Sequence, residues 1–221
     1  QRMENKNVYI DLGKAEAILT PNEQIPGEIY QYHDRMKTYI VEVKKTSKGP
    51  QIMVSRTHPG LLKRLFELEV PEIHDGLVEI KSVAREPGMR SKISVYTKDE
   101  NIDPVGACVG HKGMRVQTIV NALRGEKIDI VKYSSEPAQY VANALSPAMV
   151  VSTEVLELEK ICRVIVPDFQ LSLAIGKEGQ NARLAAKLTG WKIDIKSESQ
   201  AAEEAEQGAQ EVGVAYEADE D

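Results

Sequence analysis

Aromatic residues are scarce in this chain. They make up 5% of its 221 residues, with one Trp and two Phe, so Val, Ile, Leu and Ala must build whatever cores it has. Such material suits two or three small domains better than one large core. Only two cysteines occur, Cys108 and Cys162, without CxxC spacing or a zinc-type histidine arrangement. They read as small buried thiols of a reducing cytoplasm, not as a disulfide framework. No apolar run approaches the roughly 20 residues of a membrane span, and no secretory segment precedes the first strand pattern. Missing too are HExxH, GxSxG and any nucleotide-binding GxxxxGK[ST] phrase. Paired acids such as Asp99-Glu100 lie in a polar loop, where solvation explains them. The chain is therefore expected to be no enzyme, with no cofactor and no metal site; His33, His58 and His74 are surface or packing residues.

Basic residues are absent from one end. Between Ser197 and Asp221 there are nine acidic residues and no Lys or Arg. The formal charge of −6 comes from that tail, because the remainder carries 28 basic against 25 acidic side chains. A mildly basic body with an acidic tail is compatible with nucleic-acid binding.

What the chain does have is one phrase written twice. Residues 109–130 read VGHKGMRVQTIVNALRGEKIDI, and residues 175–195 read IGKEGQNARLAAKLTGWKIDI. Each runs from an apolar residue through Gly-x-x-Gly, an amphipathic helical pattern and a turn glycine to a strand ending Ile-Asp-Ile. A lone GxxG is weak evidence, whereas two in the same helix–loop–helix–strand setting mark a repeated unit. The bend brings backbone N–H groups near the surface without a Cβ in the way. A helix starts there, so its dipole and free amides favour an anion, and Lys112 and Lys177 add full positive charge. The chemistry points to a chain of phosphates.

Short strands fill residues 1–56: one hairpin over 8–19 and another over 37–56, joined through Thr46-Ser47-Lys48-Gly49-Pro50. The chain enters this strand pattern directly from Gln1-Arg2, as a piece of a longer protein would. From Pro59 a short helix with Leu61, Leu62, Leu65 and Phe66 on one face precedes two strands, Leu77–Ala84 and Lys92–Tyr96. The turn between them, Arg85 to Arg90, places Arg85, Arg90 and Lys92 as candidate extensions of a basic track. In the second copy, Asp168 is expected to cap the helix leading to the loop. The Ala/Glu/Gln-rich tail, Ser199–Asp221, is expected to stay disordered, with only Ala201–Ala209 flickering into helix.

These residues resemble a known family. Two successive units with GxxG between helices resemble prokaryotic-type (type II) KH domains, which grip about four nucleotides with that loop. The opening strands, with Tyr9, Asp34-Arg35, Lys37 and Ser55-Arg56, resemble the later strands of an S-one-type OB-fold whose first strand is missing. In this order, with the phrases Arg56-Thr57-His58-Pro59, Val70-Pro71-Glu72-Ile73, Asp103 to Gly110 and Ile175 to Ala185, the chain resembles the NusA family of bacterial transcription elongation and termination factors over about residues 8–196. The implied fold is α+β and multidomain: a partial OB-fold barrel over 1–57, a first KH domain over 58–133, a second over 134–197, and an acidic tail over 198–221.

By the same resemblance, Gly110, His111, Lys112 and Gly113, and Gly176, Lys177, Glu178 and Gly179, lie against single-stranded RNA. Arg115, Gln117, Asn181 and Arg183 follow on the next helices, while Tyr9 and Arg56 serve the barrel. The implied role is to contact nascent RNA and modulate pausing, termination and antitermination by RNA polymerase, with other antitermination factors as further partners and no membrane. The family's N-terminal polymerase-docking domain is absent from these residues. Glu178 departs from the pattern by placing a negative charge inside the second loop. A different class of function stays open: a protein–protein scaffold whose KH units bind polypeptide.

Overall fold

The computed structural model describes residues 1–218 and, within the last helix, side chains as far as residue 209. Asp219, Glu220 and Asp221 of the expected disordered tail lie outside the described residues. Two compact units separate between Ile130 and Val131.

The first unit opens with five strands: β1 (Arg2–Glu4), β2 (Asn7–Asp11), β3 (Glu16–Leu19), β4 (Tyr39–Thr46) and β5 (Gly49–Ser55). They form one sheet in the order β1-β2-β3-β5-β4. A short first strand is thus present. Asn5 and Lys6 both take positive φ (52° and 65°), the geometry of a tight hairpin turn whose twist matches paired strands. Alternation along β2 and β3 turns Val8, Ala17 and Leu19 inward onto Val54, with Ile10, Ile52 and Tyr30 around them.

Pro59 at its first turn and His58 as its cap start α1 (Pro59–Glu69); the His58 ring nitrogen accepts the Gly60 N–H at 2.9 Å. A short turn of helix follows, α2 (Pro71–His74). Strands β6 (Glu79–Glu86) and β7 (Arg90–Tyr96) pair antiparallel, and β8 (Lys127–Lys132) joins them in the order β6-β7-β8. Helices α3 (Pro104–Val109) and α4 (Met114–Ala122) flank the first GxxG loop. Leu61, Leu62, Leu65 and Phe66 pack with Val78, Ile93, Val95, Cys108, Ile119 and Leu123.

The hairpin is longer than its sequence suggests: β6 and β7 run on until only Pro87, Gly88 and Met89 separate them. Arg85 and Arg90 are therefore strand residues, not turn residues. Nor do they extend a basic track. Arg85 is buried against Glu126, Arg90 pairs with Asp129 at 2.8 Å, and Lys92 is fully buried with its ammonium 2.9 Å from the same Asp129.

In the second unit, α5 (Pro137–Ala144) precedes β9 (Ser152–Leu156) and β10 (Ile161–Val166). A single 3-10 turn at Asp168–Gln170 leads into α6 (Leu171–Ile175), the second loop, α7 (Gln180–Thr189) and β11 (Lys192–Ser197). Strand β10 is central, antiparallel to β9 and parallel to β11. Its core draws on Tyr140, Val141, Cys162, Val164, Val166, Leu184 and Leu188.

Two expectations change here. Asp168 does not cap the following helix; its carboxylate instead accepts hydrogen bonds from the backbone N–H (3.0 Å) and hydroxyl of Ser199. And the tail begins as a helix, α8 (Glu198–Ala218), where low hydrophobicity had suggested disorder. Among the described residues, no helix is long and apolar enough to cross a membrane, and no group of three His, Cys, Asp or Glu is placed to hold a metal ion.

Candidate nucleic-acid interface

The two GxxG loops have nearly the same backbone. Gly110 ends α3 at φ 76°, ψ 174°, and Gly176 ends α6 at φ 80°, ψ 167°. The last glycine of each loop is left-handed, φ 74° at Gly113 and 73° at Gly179, and the next helix begins there. Glycine is needed at the first position for a second reason. A Cβ on Gly176 would lie 2.7 Å from the Asn181 backbone nitrogen, and one on Gly110 would lie 2.6 Å from Arg115 Cγ. Helix and loop approach too closely for any side chain.

One residue in each loop is left-handed without being glycine: Lys112 (φ 51°, ψ 29°) and Glu178 (φ 55°, ψ 26°). That conformation costs an L-residue roughly 1–2 kcal/mol, a strain that persists where surrounding structure imposes it and that concentrates at functional sites. Here it holds His111 and Lys112, and Lys177 and Glu178, on the exposed crest of each bend. Both loops spend part of their amide supply internally. Gly113 donates to Gly110 O and Met114 to His111 O, and Gly179 and Gln180 do the same in the second loop. The bare amides expected of the bend narrow to those of the two middle residues.

The loops differ in charge. The first presents Lys112 at the left-handed position and His111 before it. The second presents Lys177 one place earlier and a carboxylate, Glu178, at the left-handed position. Arg183, exposed on α7, donates to the Glu178 carbonyl at 3.0 Å and so brings a guanidinium to the second loop. Gln117 is exposed on α4 and donates to Asn121 at 2.9 Å.

Three expected contacts are engaged elsewhere. Arg56 is fully buried and ion-paired to Glu28, with further donation to Lys37 O at 2.8 Å, so no strand of RNA can meet it. Asn181 is buried as well. Its amide donates to Leu145 O and Ala174 O, both at 3.0 Å, tying α5 and α6 to α7. Arg115 occupies the matching place in the first unit, half-buried, donating to Ala107 O and pairing with Glu72 at 2.8 Å. Both sit five residues after the first loop glycine and act as clamps behind the bend. Asn181 and Arg115 are drawn inward by carbonyls or a carboxylate left at helix ends, and Arg56 by a carboxylate and a carbonyl of the loop between β3 and β4.

Tyr9 is half-buried with one ring face taken by Arg2, whose guanidinium carbon stands 4.2 Å from the ring centroid. Arg2 was not anticipated. The pairing of Arg2 with Tyr9 across β1 and β2 follows from the Asn5-Lys6 turn, which was the overlooked signal. Behind the first loop, burial pushes the Cys108 thiol up to about 12, which keeps it protonated and inert.

The two loop units have counterparts among known proteins. Residues 56–133 match the NusA-like first KH domain, and residues 137–203 match the NusA-like second KH domain. The chain belongs to the NusA family. It is 70% identical over 203 residues to the transcription termination/antitermination protein NusA of Halalkalibacterium halodurans, covering 92% of this chain and 53% of that protein. The Bacillus subtilis protein of the same name is also 70% identical over 203 residues, covering 92% of this chain and 55% of its own length. Identity to the Thermus thermophilus NusA is 51% over 193 residues, 87% of this chain and 50% of that protein. The chain thus spans about half the length of the curated relatives it matches.

Proposed function

We propose that this chain binds single-stranded RNA through its two KH units, and that it does so as part of a factor that modulates pausing, termination and antitermination by RNA polymerase in the cytoplasm. The observation that carries the reading is the doubled loop. Two bends with matching backbone angles each hold a lysine and a strained left-handed residue on an exposed crest at the start of a helix. A polyphosphate chain is the ligand such a crest suits, since helix dipole, free amides and ammonium act on the same side. A flexible strand can also lay its bases beside the loop, which duplex cannot.

The division that goes with this function is an S-one-type barrel over 1–57, a first KH domain over 58–133 and a second over 134–197. The names of the relatives support the transcriptional role, and RNA polymerase with other antitermination factors are the protein partners it calls for. Lys112 and His111 would contact phosphate in the first loop, Lys177 and Arg183 in the second, with Gln117 beside the strand and Tyr9 offering a stacking face on the barrel.

Fluorescence anisotropy with short single-stranded RNAs at two salt concentrations tests it. Binding should weaken steeply with salt, and Asp at both middle positions of either loop should weaken it further while circular dichroism stays unchanged. Undiminished affinity in both loop variants would rule the reading out.

A further inference from the structure

Helix α8 leaves β11 without a break and stays beside it. Its first turn is tied back at both ends: Ser199 to Asp168, ahead of α6, and Gln200 to Ser197, through bonds of 3.1 and 3.2 Å. Further along, Glu204 reaches the ammonium of Lys196 at 2.5 Å. A cleft of about 310 Å³ lies between Asp194, Ile195 and Lys196 of β11 on one wall and Gln200, Glu203, Glu204 and Gln207 of α8 on the other. Those four helix residues fall at i, i+3, i+4 and i+7, one stripe of the helix.

The stripe is unusual for a docked helix because it is wholly polar. Of the described α8 side chains only Ala201 is even half-buried; the rest are exposed. Little apolar area holds the helix down, so its position depends on the hook at Asp168 and the ion pair at Lys196. An exposed ion pair is weak and easily exchanged. The edge it covers matters, since β11 is the outer strand of its sheet and packs against α6 and α7, the two helices that carry the second loop. Lys196 is the basic side chain of that edge nearest the helix, and Glu204 takes the place a phosphate would take.

We propose that α8 is a displaceable acidic strap that competes with RNA for the β11 side of the second KH unit. This rests on the RNA-binding reading above. Carboxylates at 203 and 204 occupy the edge in the free protein, and an RNA strand running from the second loop toward Lys196 must displace them. Free affinity is lowered by that competition, most for RNAs long enough to reach past the loop.

The test uses the full chain with two single substitutions that remove the same charge from the same helix. Glu204→Gln lies on the stripe and Glu206→Gln lies off it; both keep helix propensity. Glu204→Gln should tighten single-stranded RNA binding by about two- to fivefold, the range open to one exposed ion pair, and Glu206→Gln should leave it within error. Amide hydrogen exchange over residues 199–209 should quicken in Glu204→Gln without RNA, and in the wild type when RNA is added. Equal effects of the two substitutions would overturn the strap. So would RNA that binds, and is weakened by the loop substitutions, yet leaves exchange in α8 unchanged; that result spares the RNA-binding reading. A wild-type chain without salt-dependent RNA affinity would remove both.

Discussion

Arg85 and Glu126 form a forked ion pair sealed inside the first unit, with Nε 3.0 Å from one carboxylate oxygen and Nη2 3.0 Å from the other. Both side chains are almost completely hidden from solvent, and Glu126 also accepts the Gly88 N–H and the Ser91 hydroxyl. One carboxylate therefore closes the β6–β7 turn and anchors the start of β8. Removing one member of such a pair strands the other. Glu126→Ala should destabilise the first unit by about 3–5 kcal/mol, read as a fall in urea midpoint, while the second unit keeps its own transition. A change below about 1 kcal/mol would show the pair to be dispensable.

Lys112 separates charge from strain. Lys112→Gly removes the ammonium and relieves the left-handed backbone, so stability should hold or rise by up to about 1 kcal/mol while RNA affinity falls. The slope of log affinity against log salt should drop by about one charge. Lys177→Ala should change the slope less, because Glu178 already offsets that lysine. Equal slopes would mean that Glu178 has no influence on the bound strand.

The loop glycines should not be equivalent. Gly113→Ala places its Cβ no closer than 4.0 Å to Val116, so only the left-handed penalty of roughly 1–2 kcal/mol applies. Gly176→Ala meets the Asn181 backbone at 2.7 Å as well, and backbone in a helix cannot step aside. Thermal melts should rank Gly176→Ala well below Gly113→Ala, and a reversed order would contradict the loop geometry.

Asp129 gives the first unit an acid dependence. Burial pushes its carboxyl upward, but hydrogen bonds from Arg90 and Lys92 and the nearby Lys92 charge pull it further down, below the usual carboxylate range. A carboxyl lower in the folded than the unfolded state contributes stability that is complete above its unfolded value, near pH 4, and is lost as pH falls through the folded one. Acid titration of the fold should show this loss below about pH 4, and Asp129→Asn should flatten it while lowering stability at neutral pH, since Lys92 stays buried beside it. An unchanged acid limb in the variant would assign the effect to other carboxylates.

The doubled GxxG phrase, the helices around it and the strands ending Ile-Asp-Ile were legible from residue order, because local glycine requirements and apolar periodicity belong to contiguous residues. Lys112 and Lys177 could be placed on the loops for the same reason: a bend offers its middle residues to solvent whatever surrounds it. The fates of Arg56, Asn181, Arg85 and Lys92 were set by partners 28, 36, 41 and 37 positions away, Glu28, Leu145, Glu126 and Asp129. Whether a long polar side chain reaches water or an interior acceptor depends on which distant carbonyl or carboxylate the fold leaves unsatisfied beside it, and no local pattern records that. The tail shows the same division: its acidity could be read at once, but its place beside Lys196 exists only once β11 and Asp168 stand together in space.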